Sequence, residues 1–558
     1  MGLLLHACLL AAAALPSQEA DAAAKPFDEL LLRYAGSGWS GSVLVARDGQ
    51  VLLAGGYGFA DFQADRANEA GTLFELGSIT KSFTAVALVR LAQQGELALD
   101  DSIAVHLPGV PQHSRAITLR QLLAHTSGIP RNNADGSGED LALAVVEYLG
   151  AGPQEKPGAK HEYWNGGYAL LAGVIERASG RSYTQYLEEE LFAPAGMSDT
   201  GFTGDGDLDA TRAALGSAHD GRDRTALEHP YRDYGYQYRG MGGIVTTVLD
   251  LLKWERALAT HVLLDEAHTR TLFEPVKDGY ALGWRVGRAV NGAARQSHGG
   301  SVRGFVSEFR RYPAENACIA VLCNRDDQKP AEIADNLECL LFARPLATPP
   351  PKGVLLSRAE IGAIAGSYAG TAGKLVVRAA PGVLMAGLEG EALLAKAGAL
   401  EKLDWKADLA GLSLRAVEIV EGIAHGNTEP LRTHMAKRIP KGWPDTMRRS
   451  IWPAQLATHG EFRGVRPLGA VTRGGRVEVL LALEHANGPA RAQIAFGPAG
   501  LELLDWRGPQ FLASARLEPL RKDAFLLQLG EKPAKLEFEL EGGQASSVRL
   551  AGLKFVRQ

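Results

Sequence analysis

With 558 residues, 46% of them hydrophobic and 22% charged, the chain has ordinary globular composition and the length for roughly two to four domains. A formal net charge of −5, spread without long single-sign runs, leaves no basic footprint for nucleic acid and no polybasic patch for a membrane surface. The expected partners are therefore small molecules or peptides, and nothing in the composition fixes an oligomeric state.

The chain opens on an apolar run from Leu3 to Leu15, too short to span a bilayer and of the length of a secretory h-region. Small residues follow, including Ala20-Asp21-Ala22, which offer cleavage sites. The segment carries no Lys or Arg, only His6, yet an export signal over residues 1–24 is the better reading and implies a periplasmic or secreted protein. Leu5-His6-Ala7-Cys8 leaves almost no apolar stretch before the cysteine, so lipidation is not expected. The other cysteines, Cys318, Cys323 and Cys339, have no ligand-like spacing and read as small buried hydrophobes.

Next, "SGSVLVARDGQVLLAGGYG" reads as two strands joined at Asp48-Gly49. A helix is expected from Ser78 to Gln94, with Phe83, Val86, Leu88, Val89 and Leu91 at helical spacing and Gly95 as its stop. Another helical pattern starts near Gly167 and ends at Gly180. "YALGWRVGRAV", "ARQSHGGSVRGFVSEFRRYP" and "ACIAVLCN" read as successive strands. Strands at both ends with helices between predict an α+β domain over residues 25–343, whose first and last parts share one antiparallel sheet.

"ARPLATPPPKG" breaks the periodicity and makes 344–353 a linker. Beyond it, short strands with glycine turns at 354–407 and 507–558 predict a small β-barrel-like module, interrupted by an α+β insert at 408–506. Within the insert "LSLRAVEIVEGIAHGN" is an amphipathic helix with Leu414, Val417, Val420 and Ile423 assigned to one face, and "RVEVLLALEH" alternates Val477, Val479, Leu481 and Leu483.

The chemistry-bearing residues lie in the first domain. Ser78 and Lys81 are three apart, so on a helix their side-chain ends can meet, and the helix N-terminus favours developing negative charge. The bland alternative is a cap serine followed by a solvated lysine, but no other serine in the chain has a lysine three residues on. Tyr163-Trp164-Asn165 is the one Tyr-x-Asn among fourteen tyrosines. With cationic help from Lys81 its phenol would serve as a base toward Ser78 and then as an acid toward the leaving group. Asn165 would hold Lys81 or a substrate amide, and Trp164 hints at an aromatic wall. In "SHGGSVRGF", His298-Gly299-Gly300 lets a substrate backbone approach an edge strand, and the Ser301 N–H with that of Ser78 forms a candidate oxyanion hole. His219-Asp220-Gly221 shows the same His-x-Gly pattern and reads as a loop.

These three elements, in this order, resemble the serine β-lactamase and penicillin-binding superfamily, in particular its class C β-lactamase-like branch of D-alanyl-D-alanine carboxypeptidases, D-aminopeptidases and esterases. The resemblance runs from about Phe27 to Ala343, supported by "LRQLLAHTSGIP", "MSDTGF" and "GMGGIVTTVLDLLKW". It implies an acyl-enzyme mechanism on a sheet flanked by helices, with a helical lobe as the other wall of the cleft. Ser78 would be the nucleophile, Lys81 and Tyr163 would manage protons, and His125 of "HTSGIP" would belong to a structural loop. Where β-lactamases of the branch carry K-T-G, this chain has His298-Gly299-Gly300, which removes groups expected to bind a β-lactam carboxylate and favours an ester or D-amino-acid peptide. Arg303 is a candidate to restore a carboxylate contact. The C-terminal segments resemble lipocalin-like modules attached to some of these hydrolases, and the insert resembles small cone-shaped folds of the nuclear-transport-factor type.

The leading expectation is a serine hydrolase of amides or esters. The alternatives are a β-lactamase, and a catalytically slow penicillin-recognising or ligand-binding protein. No metal or cofactor motif is present: the sequence has no H-E-x-x-H, P-loop or dinucleotide fingerprint.

Overall fold

The structure is a computed structural model that describes residues 17–62, 64–131, 138–218, 223–231, 233–348, 356, 358–371, 373–380, 383–389, 404–406, 411–435, 443–473, 476–487, 490–497, 500–505, 515–521, 524–529, 532–550 and 553–558. The apolar run before residue 16, Cys8 and His219-Asp220-Gly221 up to position 221 lie outside the described residues. Two compact units divide the chain inside the proline-rich stretch, one of residues 1–35 and 39–351, the other of 36–38 and 352–558.

In the first unit, strands Arg285–Arg288, Ala294–Val302, Phe305–Tyr312, Ala317–Cys323, Gly41–Arg47 and Gln50–Tyr57 form one six-stranded sheet in that order. Every neighbouring pair is antiparallel, and Gly41–Arg47 pairs with Ala317–Cys323, so the two ends of the domain do share a sheet. The turn between the first two strands has Asp48 and Gly49 both at positive φ, 53° and 75°, the backbone a tight hairpin demands. Alternation then sorts side chains to two layers. Val43, Val45, Ile319 and Val321 pack with Leu30, Leu31, Ile333 and Leu337 from helices Ser17–Gly36 and Pro330–Leu341. Leu44, Ala46, Phe309, Ala320 and Leu322 face the larger core around helix Thr80–Gln93. Each large apolar side chain removed from water there contributes about 1.5–3 kcal/mol.

Two sequence expectations shift. The strand expected over 280–290 shrinks to Arg285–Arg288, because Tyr280, Leu282 and Trp284 turn inward and are buried. The helix expected near Gly167 begins at Asn165 and ends, as expected, at Gly180 with φ 69°. A small sheet of Phe74–Glu75, Ile244–Thr246 and Gly201–Phe202 draws the segments "FELGS", "GMGGIV" and "TGF" together.

The second unit contains a closed barrel of eight antiparallel strands, Gly366–Gly370, Gly373–Ala380, Val383–Glu389 and, after the insert, five strands from Ala515 to Arg557. Gly366–Gly370 closes it by pairing with Leu553–Arg557. The insert is a five-stranded sheet packed by helices including Leu412–Ala424. Its sheet starts before residue 408, since Asp404–Lys406 pairs with Ala470–Thr472. The helix buries Ala416, Ile419, Val420 and Ile423, whereas Leu414, assigned to that face from the sequence, is 71% exposed.

Candidate active site

Ser78 sits in a one-turn 3-10 helix, Gly77–Ile79, that runs directly into the α-helix Thr80–Gln93. The α-helix is buried on nearly every side, so its start is held by packing all round. Ser78 itself is partly exposed among buried neighbours, the one reachable side chain of the turn. Lys81, one turn on, is fully buried and its Nζ lies 2.9 Å from Ser78 Oγ and 2.9 Å from the Met241 carbonyl oxygen. Above it stand the rings of Tyr163 and Tyr168, 5.0 and 5.6 Å from Nζ.

Burial alone holds the Lys81 ammonium well below the usual lysine range. The Tyr163 phenol is pushed up to about 12 by burial, although Ser78, Arg285 and Arg131 pull the other way. That is the opposite of the depressed phenol expected from a neighbouring lysine: two buried groups with weakened charge face each other rather than an ion pair. His298 is likewise pushed down to about 3, first by burial and then by Lys81 and Arg285. Its Nδ1 lies 2.6 Å from the Gly299 carbonyl and its Nε2 2.9 Å from the Tyr280 hydroxyl. The imidazole therefore donates from Nδ1 and accepts at Nε2.

The nucleophile turn lies against strand Ala294–Val302. Gly77 has φ 55°, and a Cβ on it would lie 2.9 Å from the Ser301 nitrogen, so the turn and Ser301 touch backbone to backbone. A Cβ on Gly300 would lie 1.9 Å from the Leu76 carbonyl oxygen and 2.3 Å from Ser307 Oγ, which itself donates to that carbonyl at 2.7 Å. Gly300, assigned from the sequence to substrate approach, is thus already filled by the protein's own backbone. Gly299 turns to the opposite face, where its Cβ would meet Glu308 Oε2 at 3.0 Å. Strand Arg285–Arg288 pairs only with residues 294–297, which leaves the edge from His298 to Val302 without a strand partner among the described residues.

Of the remaining sequence candidates, Asn165 opens its helix and is exposed; among the described residues the hydrogen bonds of Lys81 are to Ser78 and Met241. Trp164 is buried, as a packed rather than a lining residue. Arg303 donates to the Pro230 carbonyl at 3.1 Å, so its guanidinium is engaged in a loop. His125 is closer to the chemistry than a distant structural loop would be: its ring is 4.2 Å from that of Tyr163, its Nδ1 accepts the Trp164 N–H at 3.1 Å, and its carbonyl accepts the Glu162 N–H at 2.8 Å. Two residues were missed. Met241 acts through its carbonyl, which has no side-chain signature, although the glycines around it marked a tight loop. Arg285 is an exposed cation 5.6 Å over the Tyr280 ring whose charge reaches Tyr163 and His298. Among the described residues no group of side chains is arranged to hold a metal ion.

A serine, a buried lysine and a tyrosine gathered between an antiparallel sheet and a largely buried helix define the class that the comparisons with known proteins then specify. The family model for Beta-lactamase matches residues 32–342, the whole sheet and the site included, and the chain belongs to that family. It is 29% identical over 337 residues to penicillin-binding protein 4* of Bacillus subtilis, covering 56% of this chain and 74% of that one. It is 28% identical over 332 residues to protein flp of Staphylococcus aureus, covering 53% of this chain and spanning 61% of that relative's length. Among solved structures, the octameric penicillin-binding protein homologue from Pyrococcus abyssi has a similar fold, with TM-score 0.50, 18% identity, 96% of this chain covered and 99% of that one.

Proposed function

We propose that this protein is a serine hydrolase that cleaves an amide or ester bond, in a D-amino-acid peptide or a carboxylic ester, through an acyl-enzyme on Ser78. The observation that carries the reading is the contact of Lys81 Nζ with Ser78 Oγ at 2.9 Å in a site whose burial disfavours the lysine's charge. A neutral amine there takes the Ser78 proton as Oγ attacks the carbonyl carbon, while the N–H groups of Ser78 and Ser301 receive the oxyanion. Tyr163, protonated at neutral pH, gives its proton to the departing amine or alkoxide, and Lys81 restores it. Water then attacks the ester, its proton passing to the Tyr163–Lys81 pair and from there to Ser78 Oγ as the acid is released.

The open edge from His298 to Val302 suits an extended peptide-like substrate, with Asn165 at the mouth and Arg285 available to an anionic group. The barrel reads as a lipocalin-like module and the insert as a cone of the nuclear-transport-factor type, and an export signal at the N-terminus makes the protein periplasmic or secreted. Among the described residues no helix is long and apolar enough to cross a membrane.

A second reading, a slowly deacylating penicillin-recognising protein, draws support from the name of the Bacillus subtilis relative. One experiment separates them: p-nitrophenyl esters, D-amino-acid amides and benzylpenicillin are offered to the protein and to Ser78→Ala. Steady turnover of the first two, absent in the variant, supports the hydrolase. A stoichiometric penicillin adduct with no turnover of anything supports the second reading.

A further inference from the structure

Three stretches of backbone must hold still for this site to work: the turn carrying Ser78, the loop whose Met241 carbonyl holds Lys81, and the turn that follows Ser301. One buried carboxylate, through its arginine partner, links all three. Glu75 precedes Ser78 by three residues and is 1% exposed. Its Oε2 accepts from Arg224 Nη2 and its Oε1 from the Tyr238 hydroxyl, and the Gly243 N–H also donates to it. Tyr238 and Gly243 flank Met241 in the loop that holds Lys81. Arg224, 5% exposed, donates from Nε to the Arg303 carbonyl at 3.0 Å and from Nη1 to the Glu228 carbonyl at 2.8 Å, and its guanidinium lies 5.0 Å over the Phe305 ring. Burial raises the Glu75 carboxyl, and the same Arg224, Tyr238 and Gly243 contacts oppose that rise.

We propose that Glu75, with Arg224, is a positioning residue that sets the nucleophile turn, the carbonyl partner of Lys81 and the Ser301 turn in mutual register. A pair whose only task was stability would have no reason to reach these three segments, and an ion pair this deeply buried is a weak source of net stability in any case. Neither residue touches a substrate; they act through backbone. The inference rests on the Ser78 hydrolase reading above.

The test measures the second-order rate of Ser78 labelling by a fluorophosphonate, steady-state kinetics on a p-nitrophenyl ester and the Tm of the full chain. Glu75→Gln should slow labelling and kcat about 10²-fold, the cost of misplacing reacting groups by about 1 Å, with KM within about threefold. Its Tm should fall, because Arg224 is left as an unpaired buried charge. The double variant Glu75→Gln/Arg224→Met removes both charges, so Tm should recover while labelling stays slow. A double variant that regains both stability and the wild-type rate overturns the proposal. Tyr238→Phe removes one bond and no charge, and should lower labelling about 3–10-fold, with a smaller fall in Tm than Glu75→Gln. Should the Glu75 variants not fold, wild-type labelling by Tyr238→Phe alone overturns it. Failure of the wild-type protein to label at all is a different result, because it removes the Ser78 reading and the proposal with it.

Discussion

The adjacent glycines of His298-Gly299-Gly300 give the sharpest mutational contrast in the site. Replacing Gly300 with Ala puts a methyl 1.9 Å from the Leu76 carbonyl oxygen and 2.3 Å from Ser307 Oγ. The carbonyl is backbone, tied to Ser307 at 2.7 Å and two residues before the nucleophile, so it can yield only by moving the turn. Reaching an ordinary contact of about 3 Å requires a displacement of about 1 Å between strand and nucleophile, which costs about 10²-fold in rate. Overpacking adds a stability loss of about 1–3 kcal/mol. The same change at Gly299 meets Glu308 Oε2 at 3.0 Å, the end of a side chain whose other oxygen accepts from Arg310 Nε at 2.8 Å, so the carboxylate rather than backbone must give way, and kcat should stay within about threefold of wild type. Both variants would be assayed for ester turnover, fluorophosphonate labelling and urea unfolding. Equal activity of the two, or a Gly300→Ala protein as fast as wild type, would refute the assignment of Gly300 to seating the nucleophile.

Lys81→Met should lower Ser78 labelling by about 10²–10⁴-fold with the fold intact by circular dichroism, since it removes the proton acceptor and no surface charge. The pH profile of labelling should show activity lost as pH falls through the lysine's folded pKa; because burial depresses that pKa, the acid limb should lie well below the usual lysine value of about 10.4, and an acid limb at that value would contradict the neutral-amine base. No basic limb should appear until pH approaches about 12, where Tyr163 ionises, and Tyr163→Phe should slow leaving-group departure for amides more than for p-nitrophenyl esters, whose leaving group needs no proton. His125→Phe should cost about 1–3 kcal/mol in urea denaturation by stranding the Trp164 N–H, whereas His125→Asn, which tolerates the φ of 56° and keeps an acceptor, should recover part of it.

What the sequence disclosed depended on how local the signal was. Ser78 and Lys81 lie one turn apart, so their spacing alone places them together, and the apolar runs at the two ends of the domain predicted the strands Gly41–Arg47 and Ala317–Cys323 that share one sheet. Met241 was hidden because a carbonyl oxygen is common to every residue. The Glu75–Arg224 pair spans 149 positions, beyond any periodicity. The direction of the Tyr163 shift was misjudged because burial outweighs its charged neighbours, and burial is a property of the fold. Gly300 was misread because a glycine shows that space is needed without showing what fills it. Leu414 was misplaced because a residue at the first turn of a helix can satisfy the periodicity and still overhang solvent.

The most direct test of the central claim is the intact mass of wild-type and Ser78→Ala protein after brief exposure to a fluorophosphonate, with p-nitrophenol release from an ester followed in parallel. A single adduct and ester turnover in the wild type, both absent in the variant, is the predicted result. An unmodified, inert wild type, or equal reaction without Ser78, would contradict it.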